Sequence, residues 1–215
     1  MDVDFPLYLI SDRQQLHPDH DLIGAVTAAL EGGVTALQLR EKDLNSAQLF
    51  DLGCQLRQLT RRYNAKLLIN DHIDIAVAVE ADGVHLTEQS LSISHARQLL
   101  GNNKLIAQST HNISGAIHAA QQGADFITFS PIYYTPSKSC YGAPQGLDQL
   151  STICHQVNIP VFALGGITLQ RSAEVINAGA AGIALISAII SQADPRRAAQ
   201  DFIALTKELA ADRSN

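Results

Sequence analysis

An apolar run in the first fifth of the chain continues into Gln38-Leu39-Arg40-Glu41-Lys42-Asp43. In extended backbone, side chains alternate, so Gln38, Arg40 and Lys42 share one face and Leu37 and Leu39 the other. Two neighbouring cations are costly to desolvate unless an anion lies between them. Either Arg40 and Lys42 are solvated past a strand end and paired with Glu41 or Asp43, or they clamp a bound diphosphate. A later run ends in Asn70-Asp71. There the acid either caps the next helix or serves as a magnesium ligand, since Mg²⁺ favours one or two carboxylates plus phosphate oxygens. His85 and Ser109 each close a further run, and Ser109 equally suits a helix cap. The long connection 130–146 carries Thr135, Ser137 and Lys138, a cation and two hydroxyls suited to a lid over an anion. Gly165-Gly166-Ile167-Thr168 and Ile186-Ser187 offer backbone N–H groups at helix starts, the usual equipment for a phosphate. His17 and His20 have no third partner that would make a metal site, and His111 either orients its loop or begins a helix.

These groups follow a regular pattern of elements. Short apolar runs at 7–11, 36–40, 66–70, 83–86, 105–109, 126–129, 160–164 and 182–186 predict eight strands, each apolar enough to be buried on both faces of a parallel sheet. Stretches of helical period lie between them, at 23–30, 47–63, 73–79, 116–122 and 172–178. A punctuation recurs where helix gives way to strand: Glu31-Gly32-Gly33-Val34, Ala81-Asp82-Gly83-Val84, Gly123-Ala124-Asp125-Phe126 and Gly179-Ala180-Ala181-Gly182. Glycine after a helix suits a left-handed C-cap. No GxGxxG follows the first strand, and polar residues gather after nearly every strand, whereas an open sheet gathers them at one switch point. The expectation is an α/β fold of the (β/α)8 TIM-barrel class, one domain over 1–215, with a frayed tail at 210–215.

Composition narrows the partners. Hydrophobic residues make up 46% of the 215 and charged residues 17%, a balance that builds a core and excludes disorder. The formal net charge is −6, with no basic run, so nucleic acid and anionic membrane surfaces are poor partners. No apolar run approaches the roughly 20 residues that span a bilayer. Three separated cysteines and an acidic, signal-free Met1-Asp2-Val3-Asp4 fit a reduced, cytoplasmic setting. The oligomeric state is not legible.

Taken in order, these segments resemble the thiamine-phosphate synthase family and, more broadly, the superfamily it shares with TenI-like thiazole tautomerases. The resemblance runs from Tyr8 to about Ala198. It is carried by Gln-Leu-Arg-Glu-Lys at 38–42, Ile-Asn-Asp at 69–71, Ala-Asp-Gly-Val-His at 81–85, Ser-Thr-His at 109–111, Thr-Pro-Ser-Lys at 135–138 and Gly-Gly-Ile at 165–167. It implies a transferase that joins a hydroxymethylpyrimidine diphosphate to a thiazole phosphate, releasing pyrophosphate. By the same resemblance Gln38, Arg40 and Lys42 hold the diphosphate beside Asn70, Asp71 ligates one Mg²⁺, and Lys138 closes over the leaving group. Ser109 lies near the reacting centre, while Thr135, Ser137, Gly166, Ile186 and Ser187 surround the thiazole phosphate. One departure stands out. The family places a second magnesium carboxylate shortly after the fourth strand, where this chain reads Thr87-Glu88-Gln89-Ser90 with Ser90 at that position and Glu88 as a neighbouring acid. A tautomerase needs neither clamp nor metal and would explain Ser90, yet Pro131 stands where the tautomerase pattern has a histidine. A barrel that binds phosphate without turnover is the third reading.

Overall fold

The computed structural model describes residues 2–135 and 142–213. Eight strands, β1 (Leu7–Ile10), β2 (Ala36–Leu39), β3 (Lys66–Asn70), β4 (Gly83–Leu86), β5 (Leu105–Thr110), β6 (Phe126–Phe129), β7 (Val161–Leu164) and β8 (Gly182–Leu185), pair in parallel in sequence order, and β8 closes onto β1. Each is followed by helix: α1 (Leu22–Glu31), α2 (Ser46–Arg62), α3 (Ile73–Ala78), α4 (Ile93–Leu100), α5 (Ile113–Gln121), α6 (Gly146–Gln156), α7 (Leu169–Asn177), then α8 (Ser187–Ile190) and α9 (Pro195–Arg213). The eight expected strands are present and close into a (β/α)8 barrel. Helix α9 runs through 210–213, positions expected to fray, and Ser214 and Asn215 lie outside the described residues.

Alternation along each strand sorts the core into two layers. Outward residues such as Leu37, Leu39, Leu67 and Ile69 pack under the helices. Inward residues, among them Tyr8, Ala36, Leu68, Ala107, Phe126 and Phe162, fill the barrel together with Phe5. Phe5 plugs the N-terminal end, its ring 5.2 Å from Phe162 and 5.6 Å from Phe126. Above this aromatic plug the inward positions turn polar: Gln38, His85 and Thr128 are buried there, with Ser109 one step higher on β5. The apolar floor leaves the chemistry at the C-terminal mouth, as in barrels generally.

The recurring punctuation has a second use at the N-terminal face. Asp82 accepts the Leu67 amide at 2.8 Å and a two-pronged contact from Arg57 of α2, at 2.6 and 3.2 Å. Asp125 repeats this with the Ile106 amide at 2.6 Å and Arg97 of α4 at 2.7 Å. Each latch ties a strand start to the preceding helix layer. The glycines divide in role: Gly33, Gly123 and Gly179 take positive φ after their helices, as expected, whereas Gly83 does not and Glu80 carries the left-handed turn instead. Gly83 is needed for closeness, since a Cβ there would sit 2.1 Å from the Leu105 carbonyl oxygen. That oxygen is backbone of the next strand and cannot swing aside. Gly83→Ala should therefore destabilise the fold by about 2 kcal/mol or more, as overpacking does. Urea unfolding at constant m-value measures it, and an unchanged midpoint would show that β4 and β5 can separate freely.

Candidate active site

The mouth holds a cavity of about 480 Å³ over the ends of β2 to β5, walled by Arg40, Lys42, Asn70, Asp71, Glu88 and Ser109 among others. A smaller recess of about 90 Å³ lies over β7 and β8, lined by Thr135, Gly165, Gly166, Ile186 and Ser187. Ser137 and Lys138 lie outside the described residues.

Charge pairing at the end of β2 decides what Arg40 and Lys42 face. Arg13, from the loop after β1, donates its backbone N–H to Glu41 Oε2 at 3.0 Å, and its guanidinium lies 3.3 Å from the same oxygen. The far end of Arg13 donates to Asp43 at 3.0 Å. Both carboxylates that could have neutralised Arg40 and Lys42 are thus held by a third cation. Among the described residues neither Arg40 nor Lys42 makes an ion pair, and both line the cavity. The Arg40 amide donates to the Ser11 hydroxyl oxygen at 2.8 Å, which fixes the strand end that aims its side chain.

Asp71 does not cap α3. The residue at that cap is His72, which makes no side-chain capping bond. Asp71 instead adopts φ +65°, a left-handed conformation, with its amide donating to the His85 carbonyl at 3.0 Å. The turn presents an exposed carboxylate at the cavity edge beside Asn70. Ser90 is used differently from a metal ligand. Its hydroxyl oxygen accepts the Thr87 amide at 2.7 Å and exchanges a second bond with the Thr87 hydroxyl, closing the turn. Glu88 reaches the cavity wall and Ser90 does not. Among the described residues no group of three or more His, Cys, Asp or Glu is arranged to hold a metal.

Ser109 is free of the capping role, which Asn112 takes for α5 by accepting the Gly115 amide at 2.8 Å. Ser109 Oγ lies 2.9 Å from His85 Nε2 instead. His111 orients the loop, its Nδ1 being 2.8 Å from the Ser130 carbonyl oxygen. Gln38, expected on the diphosphate, is turned inward: it is 1% exposed and its amide nitrogen donates to the Tyr8 hydroxyl at 3.1 Å. Over β7, Gly165 and Gly166 have φ of +101° and +66°, and a Cβ on Gly166 would come within 2.8 Å of the Tyr134 carbonyl oxygen. The start of the long sixth loop rests directly on this pair. Tyr133 is pinned there by Arg171 stacked 4.5 Å from its ring and by its own hydroxyl donating to Glu174. Tyr8, Arg13 and Thr128 are the site residues that sequence reasoning missed. Tyr8 and Thr128 were discoverable, as polar residues at inward positions of apolar strands.

Similarity to known proteins agrees with this geometry. Residues 7–189 match the family described as thiamine monophosphate synthase. The chain belongs to that family. A Geobacter sulfurreducens relative that carries the name thiamine-phosphate synthase provisionally is 54% identical over 94% of this chain and 95% of its own length. The thiamine-phosphate synthase of Chloroflexus aurantiacus is 41% identical over 94% of this chain and 93% of its length. Among solved structures, the thiamine phosphate pyrophosphorylase of Pyrococcus furiosus superposes with a TM-score of 0.86 at 35% identity, covering 95% of this chain and 96% of that one. Thiamine-phosphate synthesis, a transfer of a pyrimidine group with release of pyrophosphate, is the activity that goes with this membership.

Burial pushes the Glu41 carboxyl above the ordinary glutamate range, offset only in part by the Ser11 hydroxyl, the Arg13 amide and the Arg13 charge. Folded Glu41 therefore keeps its proton to higher pH than the unfolded chain does. Its contribution to stability is complete at acid pH and is lost as pH rises through the raised value. Replacing it, as Glu41→Gln, should flatten the stability curve upward from the ordinary glutamate range, about pH 4, relative to the parent. Urea midpoints taken across that range check this; parallel curves for the two proteins would refute the raised carboxyl.

Proposed function

We propose that the 480 Å³ cavity holds the diphosphate of a hydroxymethylpyrimidine diphosphate, and the recess over β7 and β8 the phosphate of a thiazole. The carrying observation is the pair Arg40 and Lys42, unneutralised at the cavity because Glu41 and Asp43 belong to Arg13. Arg40 is half-buried and Lys42 exposed, so both stay hydrated in the empty protein and can turn onto a multiply charged anion. Asn70 adds an uncharged donor beside them.

The reaction requires little covalent help. The bond between the pyrimidine methylene and the diphosphate oxygen breaks, its electron pair leaving with pyrophosphate. The thiazole nitrogen then donates its lone pair to the methylene carbon, forming the new C–N bond. Arg40 and Lys42 meet the charge that grows on the departing oxygens, the kind of preorganised electrostatics that lowers such barriers most. Lys138, by the family resemblance, would add a third cation over the leaving group. Ser109 stands at the cavity wall where the pyrimidine ring would lie. Thr135, Ser137, Gly166, Ile186 and Ser187 hold the second substrate, whose recess is shaped by the left-handed Gly165-Gly166 turn.

The residues also fit magnesium. Asp71 presents a carboxylate that makes no hydrogen bond or ion pair among the described residues, and Mg²⁺ needs only one or two protein carboxylates when phosphates complete its shell. Asp71 would hold it, with Glu88 the nearest second carboxylate in sequence to the Ser90 position. Bound there, magnesium would supply further neutralisation of pyrophosphate. No helix among the described residues is long and apolar enough to cross a membrane, which accords with a cytoplasmic enzyme acting on small phosphorylated metabolites.

Mixing the purified protein with both phosphorylated precursors should give thiamine phosphate and pyrophosphate only when Mg²⁺ is present. Arg40→Ala should lower kcat/KM by about 10²–10³-fold, the scale of losing one oxyanion-stabilising contact. Asp71→Asn should raise the magnesium concentration needed for half-maximal rate. Thiazole phosphate binding without any product would reduce the chain to a binding barrel, and full turnover by Arg40→Ala would remove the clamp.

A further inference from the structure

The polar residues buried above the aromatic plug form one directed chain. Gln38 Nε2 donates to the Tyr8 hydroxyl oxygen at 3.1 Å. The same hydroxyl lies 3.3 Å from His85 Nδ1, and the two rings stack with centroids 5.7 Å apart. His85 Nε2 lies 2.9 Å from Ser109 Oγ, and the Thr128 hydroxyl lies 3.4 Å from the same Nε2 and 3.5 Å from Ser109 Oγ, so with Nε2 protonated the Thr128 proton goes to Ser109. Ser109 alone of these five lines the cavity. Tyr8 and Thr128 are fully buried, and Gln38 and His85 are each 1% exposed.

Donor and acceptor counting gives the chain a direction. An amide nitrogen can only donate, so Tyr8 oxygen receives from Gln38 and has its own proton to give. Burial pushes the Tyr8 phenol far above its ordinary value, so that proton stays on. Its acceptor is His85 Nδ1, which must then be bare, leaving the imidazole proton on Nε2. Nε2–H in turn donates to Ser109. A serine hydroxyl has two lone pairs and one proton. With Nε2–H and the Thr128 hydroxyl on its oxygen, what remains for the cavity is the proton.

We propose that Tyr8 is a positioning residue: it locks His85 in the Nε2–H tautomer so that Ser109 presents its hydroxyl proton, not a lone pair, to the substrate. The proposal rests on Ser109 lying against the pyrimidine, and it specifies the contact. Ser109 must meet an acceptor there, a ring nitrogen or a phosphate oxygen, and cannot meet the exocyclic amino group. Without the Tyr8 hydroxyl, His85 is released to place its proton on Nδ1, Ser109 then donates backward to Nε2, and the substrate loses its donor.

Tyr8→Phe is the test variant. A phenylalanine keeps the packing with Phe5, Phe126 and Phe162, so the fold should survive, and a thermal melt checks that it does. ¹⁵N-histidine NMR of the substrate-free enzyme, with His85 assigned through His85→Gln, should show one protonated and one bare ring nitrogen, the bare one being Nδ1. In Tyr8→Phe the pattern should shift toward Nδ1–H or a mixture. The kcat should fall about tenfold, the rate equivalent of one lost neutral hydrogen bond, with the KM for thiazole phosphate unchanged. Because Tyr8 acts only through Ser109, Tyr8→Phe added to Ser109→Ala should cost nothing further. A parent His85 with Nδ1–H, a tautomer indifferent to Tyr8→Phe, or losses that multiply in the double variant would each overturn the proposal. The NMR result does not depend on turnover, so it separates failure of the relay from failure of the synthase reading.

Discussion

Where β2 ends at Leu39 the chain enters a turn, and the pairing of the charges on that turn decides which of them remain for a ligand. Arg40, Glu41 and Lys42 all line the cavity, and Asp43 follows them. Adjacent acids and bases would ordinarily neutralise one another, and the site would carry no net field. Arg13 prevents this by taking both acids from the loop after β1. The cost is a Glu41 carboxyl buried deeply enough to be pushed above its usual range. The gain is a cavity wall with two cations that no ion pair among the described residues engages, beside the carboxylates of Asp71 and Glu88.

The barrel interior is graded along its axis. Phe5, Phe126, Phe162 and the Tyr8 ring fill the lower part, where no polar group needs a partner. Gln38, His85 and Thr128 sit one layer above, buried just as fully. Polar groups in that position are costly unless each is bonded, because the surroundings are dry. They are bonded to one another in sequence, from Gln38 through Tyr8 and His85 to Ser109. The same desolvation that makes an unsatisfied group expensive also makes this chain stiff. The floor of the cavity is therefore rigid, and Tyr133, just after β6, is anchored by Arg171 and Glu174.

Much of this was legible from the residues. Eight short apolar runs separated by helical period lead to a closed barrel; the expectation that Gln38, Arg40 and Lys42 share one face carries only to Leu39, where β2 ends, and Glu41 lines the cavity with Arg40 and Lys42. What sequence could not tell was which neighbours compete for a charge. Glu41 and Asp43 stand beside Arg40 and Lys42 in the chain, but the distant Arg13 claims them, and only folding reveals that. Gln38 shows the opposite limit: its face was right, yet burial next to Tyr8 keeps its amide within the barrel. Asp71 and Ser109 both looked equally able to cap helices. In the fold His72 stands at the α3 cap, without a side-chain bond, and Asn112 caps α5, which left both for the cavity. Ser90 was read by its place in a pattern, and the structure gives it a physical role in closing its own turn with Thr87.

The proposed chemistry gives a relay of neutral groups beneath the cavity a purpose. Breaking a bond to diphosphate builds negative charge on the leaving oxygens and positive charge on the pyrimidine methylene. In the proposed arrangement the first is met by Arg40 and Lys42 at one wall. A full negative charge placed against the second would favour it electrostatically, but would also trap the cation or compete with the thiazole for it. A carboxylate at the position of Ser109 would therefore be a rival nucleophile. In the proposed tautomer the Ser109 hydroxyl is a poor one, since Nε2–H and Thr128 then engage both of its lone pairs. Orientation by neutral hydrogen bonds lets the site place the ring firmly while leaving the thiazole nitrogen as the best lone pair within reach.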